Sequence, residues 1–93
     1  MLSIITPTYL MTPEARDTWA RNRAQLEAVA SVPTEYVVVD NGSAYPPAQI
    51  TSGWLENRGV APAWNEGVRH ATGDVVAFVT CTVTVKPGWD AKL

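Results

Sequence analysis

Three short apolar runs, at residues 2–6, 36–39 and 75–79, set the limits on what this chain can fold into. Each run is nearly continuous, the pattern of a strand covered on both faces, and each is too short for an ordinary helix. The stretches between them carry helical spacing. From 13 to 30, Ala15, Trp19, Leu26 and Val29 fall on one stripe, and Arg16, Arg21, Arg23 and Glu27 occupy the wet side. Thr12-Pro13-Glu14 supplies an N-cap, a first helical residue and a first-turn acid. From 60 to 71, Val60, Ala63, Trp64, Val68 and Ala71 repeat the pattern, with Gly73 as the stop. Strand, helix, strand, loop, helix, strand predicts an α/β three-layer sandwich with a mostly parallel sheet of three or four strands.

Punctuation places the loops. Pro7 ends the first run, Pro33 lies in the exit from the first helix, and Asp40-Asn41-Gly42-Ser43 stops the second strand near residue 40. Residues 45–53 form a loop with two prolines, in which 49–51 is expected to make a short third strand. Asn57 to Gly59 is a further turn. The last long strand is expected at 75–80. Val83 and Val85 alternate with threonines like a half-exposed strand, and Pro87-Gly88-Trp89 opens a final helical turn. Right-handed crossovers put loops 7–12, 40–48 and 80–82 along the carboxyl edge of the sheet, where such folds bind ligands.

Ninety-three residues make one domain, 1–93, and 46% hydrophobic with 17% charged residues is a globular composition. The net charge of −2, with no basic block, argues against a general grip on nucleic acid. One cysteine excludes an internal disulfide and suits a reducing compartment. No positively flanked leader and no apolar run of membrane-spanning length is present, so the expected address is cytoplasmic, without membrane insertion. Four tryptophans are many for this length, and each belongs in the core or on a binding or assembly surface.

Three segments resemble the N-terminal, nucleotide-sugar-binding half of the family-2 glycosyltransferases, inverting enzymes of GT-A fold. Ser3-Ile4-Ile5-Thr6-Pro7-Thr8-Tyr9 is similar to that family's opening strand and Pro-Thr-Tyr loop. Val37-Val38-Val39-Asp40-Asn41-Gly42-Ser43 is similar to its second strand and aspartate turn. Asn57-Arg58-Gly59, followed by Ala63-Trp64-Asn65-Glu66-Gly67, resembles its glycine-rich entry into the next helix. The positions of Gly73-Asp74 and Pro87-Gly88-Trp89 agree as well. The resemblance implies a truncated GT-A sheet in order 3-2-1-4. It also implies that Thr8 and Tyr9 flank the base and ribose of a nucleotide sugar, that Asp40 accepts a hydrogen bond from the base, and that Asn57 and Asn65 lie near the cleft. Each position has a structural alternative: Asp40 as a turn residue, Tyr9 as a cap on the core, Asn57 as a helix-entry turn.

The departures are equally specific. Aligned on Pro87-Gly88-Trp89, the family's metal-binding carboxylates fall on Thr80 and Thr82, and hard cations want charged oxygen ligands. Asp74 starts the same strand, roughly 20 Å away at ~3.3 Å per residue. Asp90 is left as the one carboxylate able to fold back. Arg58 or Lys86 are the cations able to stand in for metal, and no general base follows before Leu93. The expectation is therefore a degenerate metal motif at Thr80 and Thr82, no metal or other cofactor, and no catalytic residue. In the family fold, later elements cover the sheet beyond the 75–80 strand, so Val83, Val85 and Trp89 are expected to form an interface, with a homodimer or a protein partner as the outcome.

Among other candidates, His70 reads as a dipole-complementing surface residue before a catalytic one, and Cys81 as a small buried hydrophobe before a nucleophile. Glu56 and Glu66 read as solvated charges, and Trp64 as core before a stacking platform. Two functions remain. One is a binding module that has kept the fold and lost catalysis. The other is a minimal transferase completed by oligomerisation or a partner.

Overall fold

The computed structural model describes residues 1–93, the side chain of Lys92 excepted. The chain runs through β1 (Leu2–Thr8), α1 (Pro13–Val29), β2 (Thr34–Asn41), β3 (Ser52–Trp54), α2 (Val60–His70) and β4 (Val75–Phe78), and closes in a 3-10 turn at Trp89–Lys92. The strands form one sheet in order β3-β2-β1-β4, and every pairing is parallel. This is the expected order.

The continuous apolar runs are explained by helices on both faces. On one face Leu2, Ile4 and Val38 pack with Trp19 and Leu26 of α1. On the other, Ile5, Val37 and Val39 pack with Ala63 of α2. Alternate strand residues point to opposite faces, so the runs of β1 and β2 feed both layers, whereas the 75–79 run is covered on the α1 side alone, through Ala77 and Val79, with Val76 and Phe78 left exposed on the other. A Cβ on Gly67 would lie 2.2 Å from Cγ2 of Ile5, so α2 approaches β1 more closely than any side chain at that position allows. Helix α1 starts as its sequence predicts, with Oγ1 of Thr12 accepting from the Ala15 N–H at 3.0 Å.

Several boundaries differ from the sequence reading. Strand β1 runs on through Pro7 to Thr8, which pairs with Asp40, and β2 begins at Thr34 and ends at Asn41, longer at both ends than its apolar run. The third strand is Ser52–Trp54 and not 49–51. Thr51 precedes it, accepting from the Val38 N–H through its hydroxyl and donating its own N–H to the Val38 carbonyl. Strand β4 ends at Phe78, two residues short of the expected 80. Residues 83–85 are not a strand. The chain turns, with the Val83 N–H donating to the Thr80 carbonyl at 3.2 Å. It is then pinned to α1: Asn22 donates to the Cys81 carbonyl, and Gln25 bonds both the N–H and the carbonyl of Val85.

That pinning changes which surface is bare. Val85 and Trp89 pack against the α1-side core, while Val83 stays exposed. The C-terminal segment therefore folds back over its own sheet. The apolar surface left open lies on the α2 side of β4, where Phe78 is 55% exposed and meets Trp64 edge-on at 4.8 Å.

Candidate functional site

Where β1 and β2 end, the carboxyl edge of the sheet opens into two cavities. One, about 270 Å³, is lined by Thr8, Tyr9, Asn41, Asn57, Trp64 and Thr80, among others. The second, about 370 Å³, lies toward β3 and is lined by Asp40, Ser43, Ile50, Ser52, Trp54 and Leu55, among others. Adjacent residues at the end of β2, Asp40 and Asn41, thus each line a different cavity, as alternation along a strand dictates.

Asp40 is buried and opposite Thr8 in the β1–β2 register. Its Oδ1 accepts from the Thr8 hydroxyl at 2.8 Å and from the Ser43 hydroxyl at 2.5 Å, and its Oδ2 accepts from the Ser43 N–H at 3.3 Å. The Ser43 hydroxyl oxygen in turn accepts from the Leu10 N–H at 2.7 Å. One carboxylate thereby braces the ends of two strands and the two loops that follow them. A carboxylate offers about four acceptor positions, and three are taken.

Asn41, which the sequence reading passed over as part of a turn, is the second brace. Its Oδ1 accepts from the Arg58 N–H at 2.8 Å and its Nδ2 donates to the Gly59 carbonyl at 2.9 Å. Those two bonds hold the 57–59 loop and the start of α2 against β2. Within that loop Oδ1 of Asn57 accepts from the Gly59 N–H at 2.7 Å, and Gly59 sits at φ +93°, where a side chain is strained. Asn57 is thus a helix-entry turn whose side chain also lines the first cavity.

Tyr9 is half exposed at the lip of the first cavity. Trp64, read as core, is half-buried and lines the same cavity, and Trp54 lines the other with the Arg58 guanidinium over its ring at 5.0 Å. Asn65 joins neither. At about 100° per residue it falls on the side of α2 opposite the buried Ala63 and Gly67, exposed to solvent. Thr8, Tyr9 and Asn57 are therefore brought together, Asp40 stands beside them in the adjoining cavity, and Asn65 lies apart.

At the strand tip the hydroxyls of Thr80 and Thr82 are 3.5 Å apart, and Thr80 reaches the first cavity. The thiol between them, on Cys81, is pushed upward in pKa by burial and stays protonated at neutral pH. Asp90 does not fold back to this edge. It accepts from the Ser31 N–H at 2.8 Å and from the Ser31 hydroxyl, beyond the opposite end of the sheet, and those bonds hold its carboxyl below the usual range. Asp74, also at that end, holds the N-terminal ammonium at 3.0 Å. Among the described residues no three His, Cys, Asp or Glu side chains are grouped to hold an ion. Two hydroxyls and a protonated thiol do not fit a hard divalent cation.

His70 lies 3.2 Å from Glu66, which also accepts from the Ser52 hydroxyl at 2.6 Å and pairs with Arg69 at 3.0 Å. The Ser52 bond is the main cause of a lowered Glu66 pKa. This cluster ties α2 to β3, and of its members only Ser52 lines a cavity, the one toward β3.

No curated protein matches the chain. A family model described as Glycosyl transferase family 2 matches residues 3–93.

Proposed function

Because the chain belongs to glycosyl transferase family 2, we propose that it is a catalytically incomplete member, a pseudoenzyme that works as a binding module on a protein partner in the cytoplasm. One observation carries this reading. The tip after β4 presents Thr80, Cys81 and Thr82, and Asp40, the one carboxylate lining either cavity, already holds Thr8 and Ser43. Sugar transfer with inversion needs positive charge against the departing diphosphate and a base for the acceptor hydroxyl. Neither cavity offers an uncommitted carboxylate for either task. What they do offer is an aromatic and polar lining suited to a nucleoside: Tyr9 and Trp64 with Thr8 and Asn57, and Trp54 next door. That lining supports a proposal of retained nucleotide binding without a metal cofactor.

Arg58 favours a second reading. Its guanidinium lies over Trp54 at the rim of the β3-side cavity, about half exposed, and a cation there can take over the metal's part against a diphosphate. A minimal transferase would then be completed by a partner.

Calorimetry with uridine diphosphate, with and without manganese, combined with a transfer assay on nucleotide-sugar donors, separates the readings. The pseudoenzyme gives one affinity regardless of manganese and no turnover. A manganese-dependent gain in affinity sinks it. Turnover abolished by Arg58→Ala replaces it with the second reading.

A further inference from the structure

Strand β4 forms one edge of the sheet, paired only with β1. The N–H groups of Val75 and Val79 point to β1, at 3.5 Å from the Met1 carbonyl and 3.0 Å from the Ile5 carbonyl. In a parallel ladder successive residues face opposite sides, so the main-chain groups of Val76 and Phe78 point outward from the sheet. Natural edges are usually blunted by charge, proline or a bulge. This one is not: residues 75–85 contain neither a charge nor a proline.

The α2-side face of the same strand is bare. Val76 and Phe78 are 37% and 55% exposed, and the neighbouring stripe of α2, with Val60 and Val68 at 66% and 49%, continues the surface beside Trp64. We infer that this edge and face join a second copy of the chain, β4 to β4, antiparallel about a twofold axis at Ala77, in one eight-stranded sheet.

The geometry is self-complementary. The two outward residues lie one on each side of Ala77, so Val76 of each copy meets Phe78 of the other. Each such pair exchanges two N–H···O=C bonds, four in all. Ala77 then faces its own copy as a non-hydrogen-bonded pair, the position of closest approach, and it is the smallest residue of the strand. Opposed residues share a face, so Val76 packs on Phe78 of the second copy at each side of the axis. The patch is on the order of 500 Å² per copy, within the range of a monomer's largest apolar patch. Two of them bury about 1,000 Å², the lower bound for a specific interface. The inference is independent of the proposed function, because the dimer needs no nucleotide.

Sedimentation equilibrium of the 93-residue chain, from low to high micromolar, tests it. The expected mass is twice 10.1 kDa, falling to the single-chain value in Val76→Lys with unchanged far-ultraviolet circular dichroism. Ala77→Cys in a Cys81→Ala background tests the register even where the lysine variant fails to fold. Oxidation should link two copies through residue 77, since opposed non-hydrogen-bonded strand positions meet disulfide geometry. A chain that stays monomeric throughout and does not cross-link overturns the inference, and leaves the face to another polypeptide segment or to solvent. A dimer that neither variant perturbs or cross-links overturns it as well.

Discussion

Asp40 spends its charge inward. Its three hydrogen bonds hold the ends of β1 and β2 together, and the hydroxyl it receives from Thr8 has no exposure to water. In Asp40→Ala that hydroxyl is left buried without its partner, at a cost of about 1–3 kcal/mol. Asn57 is exposed and serves a local turn, so Asn57→Ala should stay within about 0.5 kcal/mol. Urea midpoints for the two variants check this ordering. If Asn57→Ala proves the more damaging, Asp40 is not the brace described above. Asp40→Asn makes a sharper comparison, since its amide can still accept from Thr8 while losing charge, and it should recover part of the lost stability.

Between elements, the segment after β4 is held on α1 by side chains acting on main chain: Asn22 on Cys81, Gln25 on Val85. Gln25→Ala removes both bonds to Val85, so hydrogen exchange should accelerate at the Val85 amide while amides of β1 remain protected. Equal acceleration in both would show that the segment opens only with the whole fold. This segment also marks where the sequence misleads. Val83 and Val85 alternate with threonines as a strand does, yet alternation reports only that one side is covered, and here a loop lies on the core. The central strands were legible because residues buried on both faces leave continuous apolar runs. Strand β3 was not, because Ser52-Gly53-Trp54 has no such run. Gly53 is there for close approach, since a Cβ would fall 2.3 Å from the Asp40 carbonyl oxygen. At the site, Thr8, Tyr9 and Asn57 could be placed from motif and topology. Asn41 could not, because an asparagine before glycine looks like any turn until its partners 17 and 18 residues on are known. Asn65 was misplaced because a motif spacing does not say which way a helix is rotated.

For the molecule as a whole, two carboxylates at the amino edge contribute to acid stability alongside Glu66 between α2 and β3. Glu35 accepts from the Ser3 hydroxyl and from the N–H and hydroxyl of Thr72, and the Ser3 bond leads the causes that hold its pKa below the usual 4.5. Asp90 is held below its usual 3.8, chiefly by the Ser31 hydroxyl. A carboxylate whose folded pKa is depressed contributes stability that is complete above its unfolded value and is lost as pH falls through the folded one. Melting temperature should therefore be level through neutrality and drop below these ordinary values. The gap between the native chain and a Glu35→Gln, Asp90→Asn variant should narrow as pH falls below 4.5. A gap that stays constant would mean the two carboxylates act through packing and not through charge. The same edge has a practical geometry. Met1, Ala91 and Leu93 line one small cavity there, about 210 Å³, whereas both larger cavities by the ends of β1 and β2 open at the far side of the sheet. A molecule tethered to a sensor surface through Met1 or Leu93 would stand with both of those cavities facing the flow, so immobilisation chemistry can be chosen at either residue without masking them.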